Sequence, residues 1–235
     1  MQENADVKLV HWVYRRLYRA FGKQHWWPAK TPFEVIVGAI LTQGTAWSNV
    51  EKSVRALREK KALVPERLYS MKSNVLSKTI RSSGFFNVKT RRLRNFVSYL
   101  FDRWDGDLHK MFQTPAPFFR REFLTISGLG KETVDSILLY AGNRPIFVVD
   151  AYTRRIFSRH GLLRGDEKYD EIQNYFMESL LPESRLFNEY HALLVEVGKR
   201  YCRTSPLCQE CPLDPLPRSR RISHPFLKKV LEKNR

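Results

Sequence analysis

Cysteine, acid and long apolar runs are what this 235-residue chain has least of. Its 3 cysteines all lie within Cys202–Cys211, which excludes a disulfide framework spread along the chain. No stretch approaches the roughly 20 apolar residues that cross a bilayer. The longest, Phe33–Leu41, is interrupted by Glu34. The opening MQENADVKLV has no basic segment leading into an apolar one, so no secretory leader is expected. Together these predict a cytoplasmic protein with no membrane association. Acid is the larger shortage. Asp and Glu total 24 against 41 Lys and Arg, a net charge of +17. Self-repulsion on that scale points to a polyanionic partner, nucleic acid first, with a basic solvated surface as the plain alternative. A hydrophobic fraction of 43% is enough for a core and excludes a disordered chain.

No run of alternating strands, no repeat and no low-complexity segment interrupts a helical pattern, so the fold class is all-α. Val10, Trp12, Val13, Leu17 and Phe21 predict a first helix over Val7–Phe21. Thr31 is placed to cap a helix entering at Pro32 and lined by Phe33, Val37, Ile40 and Leu41. Val50, Val54 and Leu57 give a third, ending in the basic run Arg58–Lys61. Leu76–Ile80 and Leu93–Phe101 predict two more, separated by a turn of sequence SSGFFN. Thr114 is expected to cap a helix entering through Pro115 and Pro117. Lys131–Tyr140, Tyr152–Phe157, Asp170–Leu180 and Asn188–Tyr201 complete the set, with Phe147–Val149 a strand or a buried connection.

Residues 123–141, FLTISGLGKETVDSILLYA, carry the most chemistry. A helix ends, Ser127-Gly128-Leu129-Gly130 makes a tight hairpin, and a helix begins at Lys131. Gly128 and Gly130 can take positive φ and leave backbone N–H groups uncovered beside the positive end of the next helix. Ser127, Gly128, Gly130 and Lys131 are therefore candidates to hold a DNA phosphate without reading sequence, and a monovalent cation at the hairpin is a further candidate. An ordinary glycine-capped helix connection has the same local pattern. Asp150 follows the apolar Phe147-Val148-Val149; it suits an N-cap, a catalytic acid, or both.

Hairpin plus downstream aspartate resembles the endonuclease III superfamily of DNA glycosylases, the helix-hairpin-helix, Gly/Pro, Asp class. Leu41-Thr42-Gln43, Gly84-Phe85-Phe86-Asn87-Val88-Lys89 and the loop of Cys202, Cys208 and Cys211-Pro212-Leu213 are similar to that family's other motifs in the same order. The resemblance spans nearly the whole chain. It implies two helical domains flanking a DNA-lesion cleft: residues 31–140 with the hairpin, and residues 1–30 plus 141–235 with the aspartate and the cysteine loop. It also implies a partner, double-stranded DNA containing a damaged base, bound by a monomer that bends the duplex and extrudes the nucleotide. Gln43 and the Ser82–Ser83–Gly84 turn are candidates to fill the gap.

Bifunctional members carry a nucleophilic lysine two residues after the second hairpin glycine. Here that position is Glu132, eighteen residues before Asp150 as in the family, and Lys131 is one residue early. One helical residue is about 100° of rotation. A carboxylate forms no Schiff base. The resemblance thus implies a monofunctional enzyme in which Asp150 stabilises charge at the sugar and orients water. A shifted register that brings Lys131 in, giving lyase activity, is the rival; a non-catalytic DNA-binding protein is a second.

Trp26-Trp27-Pro28, Gln43 and Trp47 are read as a flipped-base pocket, with interdomain packing the alternative for one of the two tryptophans. Indole faces attract a cationic alkylated purine, itself an activated leaving group. The pattern is most similar to the bacterial type III 3-methyladenine DNA glycosylase branch, although that branch has Phe where this chain has Trp47. In the cysteine loop, five residues separate Cys202 from Cys208, two separate Cys208 from Cys211, and the fourth position of the family spacing falls on Pro217. A [4Fe–4S] cluster takes four thiolates, so a lost cluster is favoured over one completed by His224 or Asp214, and no cofactor is needed for the chemistry. Beyond the loop, Arg218, Arg220, Arg221, Lys228 and Lys229 are candidate phosphate contacts or a solvated basic end.

Overall fold

A computed structural model describes residues 3–216. The tail basic residues named above, and His224, lie outside the described residues. Helices α1 (Glu3–Phe21), α2 (Pro32–Thr42), α3 (Trp47–Glu59), α4 (Pro65–Ser70), α5 (Ser73–Thr79), α6 (Phe86–Trp104), α7 (Leu108–Gln113), α8 (Ala116–Phe123), α9 (Lys131–Ser136), α10 (Ala151–Arg159), α11 (Tyr169–Ser179) and α12 (Ser184–Arg200) follow in order, with no strand among the described residues. A 3₁₀ turn, Arg81–Ser83, precedes α6, and α9 runs on into a π turn, Ile137–Ala141. No described helix is long and apolar enough to cross a membrane.

The chain divides into two compact units, Met1–Trp26 with Pro145–Arg235, and Trp27–Arg144. The divisions fall outside the expected 30/31 and 140/141, so Trp26 and Trp27 belong to different units.

In the Trp27–Arg144 unit, α2 is the central helix. Residues Phe33 to Leu41 are all buried, which is why its apolar positions run on without a polar face. Thr31 caps it as expected, its hydroxyl accepting the Glu34 amide, and Pro32 opens the first turn. Buried Glu34 is paired with Arg58 of α3. Phe96, Phe119 and Phe123 pack edge to face within this core. Two short helices depart from the sequence expectation, α4 and α7. Each buries a single side chain, Leu68 or Met111, too few to show a period. Thr114 does not cap α8; Pro115 holds that position without a side-chain bond, and Thr114 instead ends α7. The helix over Leu93–Phe101 is longer than its apolar stripe and begins at Phe86.

In the other unit, α1 packs on α11 and α12. Leu9, Val10, Val13 and Leu17 of α1 are fully buried, whereas Phe21 is half-exposed under the Arg200 guanidinium. Phe147 stacks on Phe176 at 4.1 Å, with Phe187 and Tyr190 against its edge. Each such ring contributes about 2–3 kcal/mol on burial. Phe147–Val149 is the buried connection rather than a strand. Gln173 of α11 donates to the Phe147 carbonyl at 2.6 Å, supplying a partner that a sheet would otherwise provide.

Candidate functional site

The hairpin lies between α8 and α9. Arg120 of α8 forms a two-pronged ion pair with Asp135 of α9, at 2.7 and 3.0 Å, and Asp135 is fully buried. Leu129 turns inward and is buried, while Ser127, Gly128 and Gly130 remain exposed. Only one of the two glycines uses the left-handed region. Gly128 has φ +95°, and a Cβ there would stand 2.4 Å from Cγ of Arg92. Gly130 is extended, at φ −89° and ψ 173°, contrary to the expectation of positive φ. Its role is openness, since an added Cβ would meet nothing within 4 Å. The first turn of α9 can therefore be approached closely, with its N–H dipoles favouring an anion. Lys131 is half-buried and Glu132 exposed in that turn.

Gln43 does not line the tryptophan cavity. Its Nε2 donates to the Gly128 carbonyl at 3.2 Å and to Thr133 Oγ1 at 2.6 Å, and Arg92 donates to its Oε1. Asn95 Nδ2 also donates to the Ser127 carbonyl at 2.9 Å. The hairpin is thus held by side chains from α6 and the end of α2, none of them a neighbour in sequence.

Trp27, Pro28 and Trp47 line one cavity of about 220 Å³, with Gly38, Glu34 and Glu51 among the other lining residues. The Trp27 indole lies edge to face with Trp47 at 5.1 Å and tilted against Tyr140 at 5.2 Å. Gly38 gives it a seat: a Cβ there would approach Trp27 to 3.2 Å. Trp47 Nε1 donates to Glu51 at 2.8 Å, one turn along α3. Trp26 is not part of this cavity. It sits in the other unit with Lys199 Nζ 5.5 Å from its ring centre. Between Gly22 and Ala29 the backbone is irregular, with positive φ at His25, and adjacent side chains on such a segment diverge.

The turn before α6 exposes a residue that the sequence analysis named within a motif but gave no role of its own, Phe85. Gly84 and Phe85 both have positive φ, at 65° and 45°, and Phe85 is 72% exposed. A non-glycine residue there costs about 1–3 kcal/mol. The expected gap-filler Ser83 is buried, its hydroxyl tied to the Ile80 carbonyl, and Ser82 is tied to Ser53. Lys89, also buried, donates to the Ser83 carbonyl at 2.6 Å. Burial, with Arg92 nearby, lowers its pKa to about 8.

Asp150 caps α10. Its Oδ1 accepts the Thr153 amide at 2.7 Å, and His191 Nε2 lies 3.5 Å from Oδ2. The Asp150 side chain is 11% exposed. Burial pushes its carboxyl up, but His191 and the Thr153 amide more than offset this, leaving it below the usual carboxylate range. The corner therefore favours the ionised form of a desolvated carboxylate, a group able to offset nearby positive charge. His191 was missed because nothing near it in sequence marks it; helix packing alone brings it to Asp150.

The three cysteines line one cavity of about 260 Å³, together with His160 and Asp214. Arg159 Nη1 lies 3.3 Å from Cys202 Sγ. Among the described residues no group of three or more His, Cys, Asp or Glu is placed to hold a metal ion. Burial raises the Cys211 thiol pKa, with the backbone at Leu213 opposing it. Three thiols, with proline at the fourth spacing position, do not fit a four-thiolate cluster.

The chain matches the HhH-GPD superfamily base excision DNA repair protein family over residues 37–182. A Methanocaldococcus jannaschii protein provisionally named a DNA repair glycosylase is 42% identical over 215 residues, covering 91% of this chain and 97% of its own. The chain belongs to that superfamily, and its activity class is that of a base-excision-repair DNA glycosylase. Among solved structures it is similar to a non-covalent endonuclease III–DNA complex, with a TM-score of 0.78 at 23% identity over 96% of this chain and 98% of that one. It is also similar to H. pylori 3-methyladenine DNA glycosylase bound to 1,N6-ethenoadenine, with a TM-score of 0.72 at 25% identity over 83% and 97%.

Proposed function

We propose that this chain is a monofunctional glycosylase that hydrolyses the N-glycosidic bond of an alkylated purine of the 3-methyladenine type in duplex DNA. The observation that carries the reading is the residue at the amine position: Glu132, an exposed carboxylate, stands where a lyase needs lysine. Water is then the nucleophile, oriented by Asp150, whose ionised carboxyl offsets the positive charge growing at C1′ as the base departs. The exposed Gly130 turn and Lys131 hold a phosphate, and DNA-bound similar structures support a duplex partner.

Trp27 and Trp47 supply aromatic faces suited to a cationic base, while Glu34 and Glu51 on the same cavity are matched by Arg55 and Arg58. Phe85 fills the space left by the extruded nucleotide. It is an exposed ring on a turn fixed from beneath by Lys89 and Ser83, so it can press into a base stack without folding away. The chemistry needs no resident metal.

The deciding experiment is release of labelled bases from methylated duplex DNA, analysed by chromatography. Free 3-methyladenine is expected; release of oxidised pyrimidines instead would reassign the substrate. The second reading, a lyase acting through Lys131, draws on its place one residue from the amine position. Borohydride should trap no covalent adduct with the native protein, and the Glu132→Lys variant should give one. Trapping by the native protein would establish the lyase reading. Binding with no excision of any damaged base would leave only a DNA-binding role.

A further inference from the structure

We infer that His191 is the positioning residue of Asp150: the Thr153 amide fixes Oδ1 at 2.7 Å, and the imidazole of α12 faces Oδ2 at 3.5 Å. The inference rests on the reading of Asp150 as the acid that faces the sugar.

A helix cap needs one carboxylate oxygen. Here Oδ1 does that work, and a carboxylate held by one oxygen can still swing about that contact. The second oxygen meets a ring that is 7% exposed, on a helix remote in sequence. Such a contact in a poorly hydrated setting is stronger than the same contact in water. It also fixes the plane of the carboxylate and so the direction of its lone pairs.

The approach of the two helices is itself built in. Gly198 lies seven residues after His191, two turns on and therefore on the same face of α12. A Cβ at Gly198 would stand 2.3 Å from Cδ1 of Tyr152, two residues beyond Asp150. With any larger residue there, α10 could not close on α12 as it does. From α11, the Tyr169 hydroxyl accepts the Val149 amide at 3.3 Å, steadying the residue before Asp150. Beside His191, the Tyr190 hydroxyl donates to the Val10 carbonyl at 2.8 Å. The corner is thus clamped on three helices, with the imidazole facing the reactive group.

The test compares His191→Leu, His191→Asn and His191→Gln in the full chain. Single-turnover excision from methylated duplex should fall about a hundredfold for Leu and Asn, which cannot present a donor at that reach, with duplex affinity unchanged. Gln, which can, should restore most of the rate. In parallel, the carbon-13 shift of the Asp150 carboxyl is titrated in each variant, and its midpoint should rise in the Leu and Asn proteins. Unchanged excision, or an unchanged midpoint, overturns the inference. Should the Leu variant not fold, Asn against Gln makes the same comparison. If the native protein excises nothing, the proposed activity fails, while the carboxyl titration still decides whether His191 governs Asp150.

Discussion

The hairpin and the Asp150 corner are both rigid, but by opposite means. At the hairpin the groups proposed to meet a phosphate are backbone, and side chains are absent there: Gly130 leaves open space and Gly128 makes room for Arg92. Rigidity is then supplied from outside, by Gln43, Arg92, Asn95 and the Arg120–Asp135 pair. At Asp150 the group proposed to act is one side chain, which caps its own helix through Oδ1 and meets His191 at Oδ2. Backbone sites tolerate change in what they touch and not in what they are made of; the acid corner tolerates neither.

The largest expected break is Asp150→Asn. Excision should fall about 10²- to 10⁴-fold with DNA binding retained, since the hairpin is untouched. The same variant has a pH signature. The Asp150 carboxyl lies below its unfolded value, so its contribution to stability is present above about pH 3.9 and is lost as pH falls through the lower folded value. Melting temperature should therefore drop less steeply at acid pH in the variant. Next is Asp135→Ala, which leaves Arg120 without its buried partner and should cost about 3–5 kcal/mol in urea denaturation. The two hairpin glycines sharpen the comparison further. Gly128→Ala meets both positive φ and Arg92, and should cost about 1–3 kcal/mol and weaken DNA binding. Gly130→Ala should change stability by less than about 0.5 kcal/mol, so any fall in affinity there reports a blocked approach to the backbone.

A separate effect, read as a slope against pH, concerns Lys89. Its pKa is lowered to about 8, while the unfolded chain keeps that proton to about 10.4. Between those values the unfolded state binds more protons, so Lys89 makes stability rise with pH. Lys89→Met should remove that slope, measured as the urea midpoint across the interval.

Much of this was legible before any coordinates. Thr31-Pro32 announced a capped helix, and the hairpin, Asp150 and the two short cysteine spacings were marked by local residue order. What was not legible depends on contacts distant in sequence. Gln43 stands at the end of α2 and gave no sign that it would bond Gly128 and Thr133. Trp26 and Trp27 read as a pair because adjacency is all a sequence shows, yet an irregular backbone sends them to different units. Phe85 stood inside a motif, but its exposed placement was not legible, because a left-handed aromatic is rare enough not to be expected. Of the two missed helices, α7 did carry a signal: Asp107 accepts the His109 and Lys110 amides, a cap visible in Asp107-Leu108-His109-Lys110.

The π turn at Ile137–Ala141 holds one residue more than an α-helical path would, closed by the Gly142 amide on the Ile137 carbonyl at 3.0 Å. That surplus sets the azimuth from which Tyr140 meets Trp27. Deleting a single residue there would restore ordinary winding and swing the phenol by about 100°. The aromatic corner thus depends on an insertion-sized irregularity, and losing it would reshape the tryptophan cavity without altering any residue that lines it.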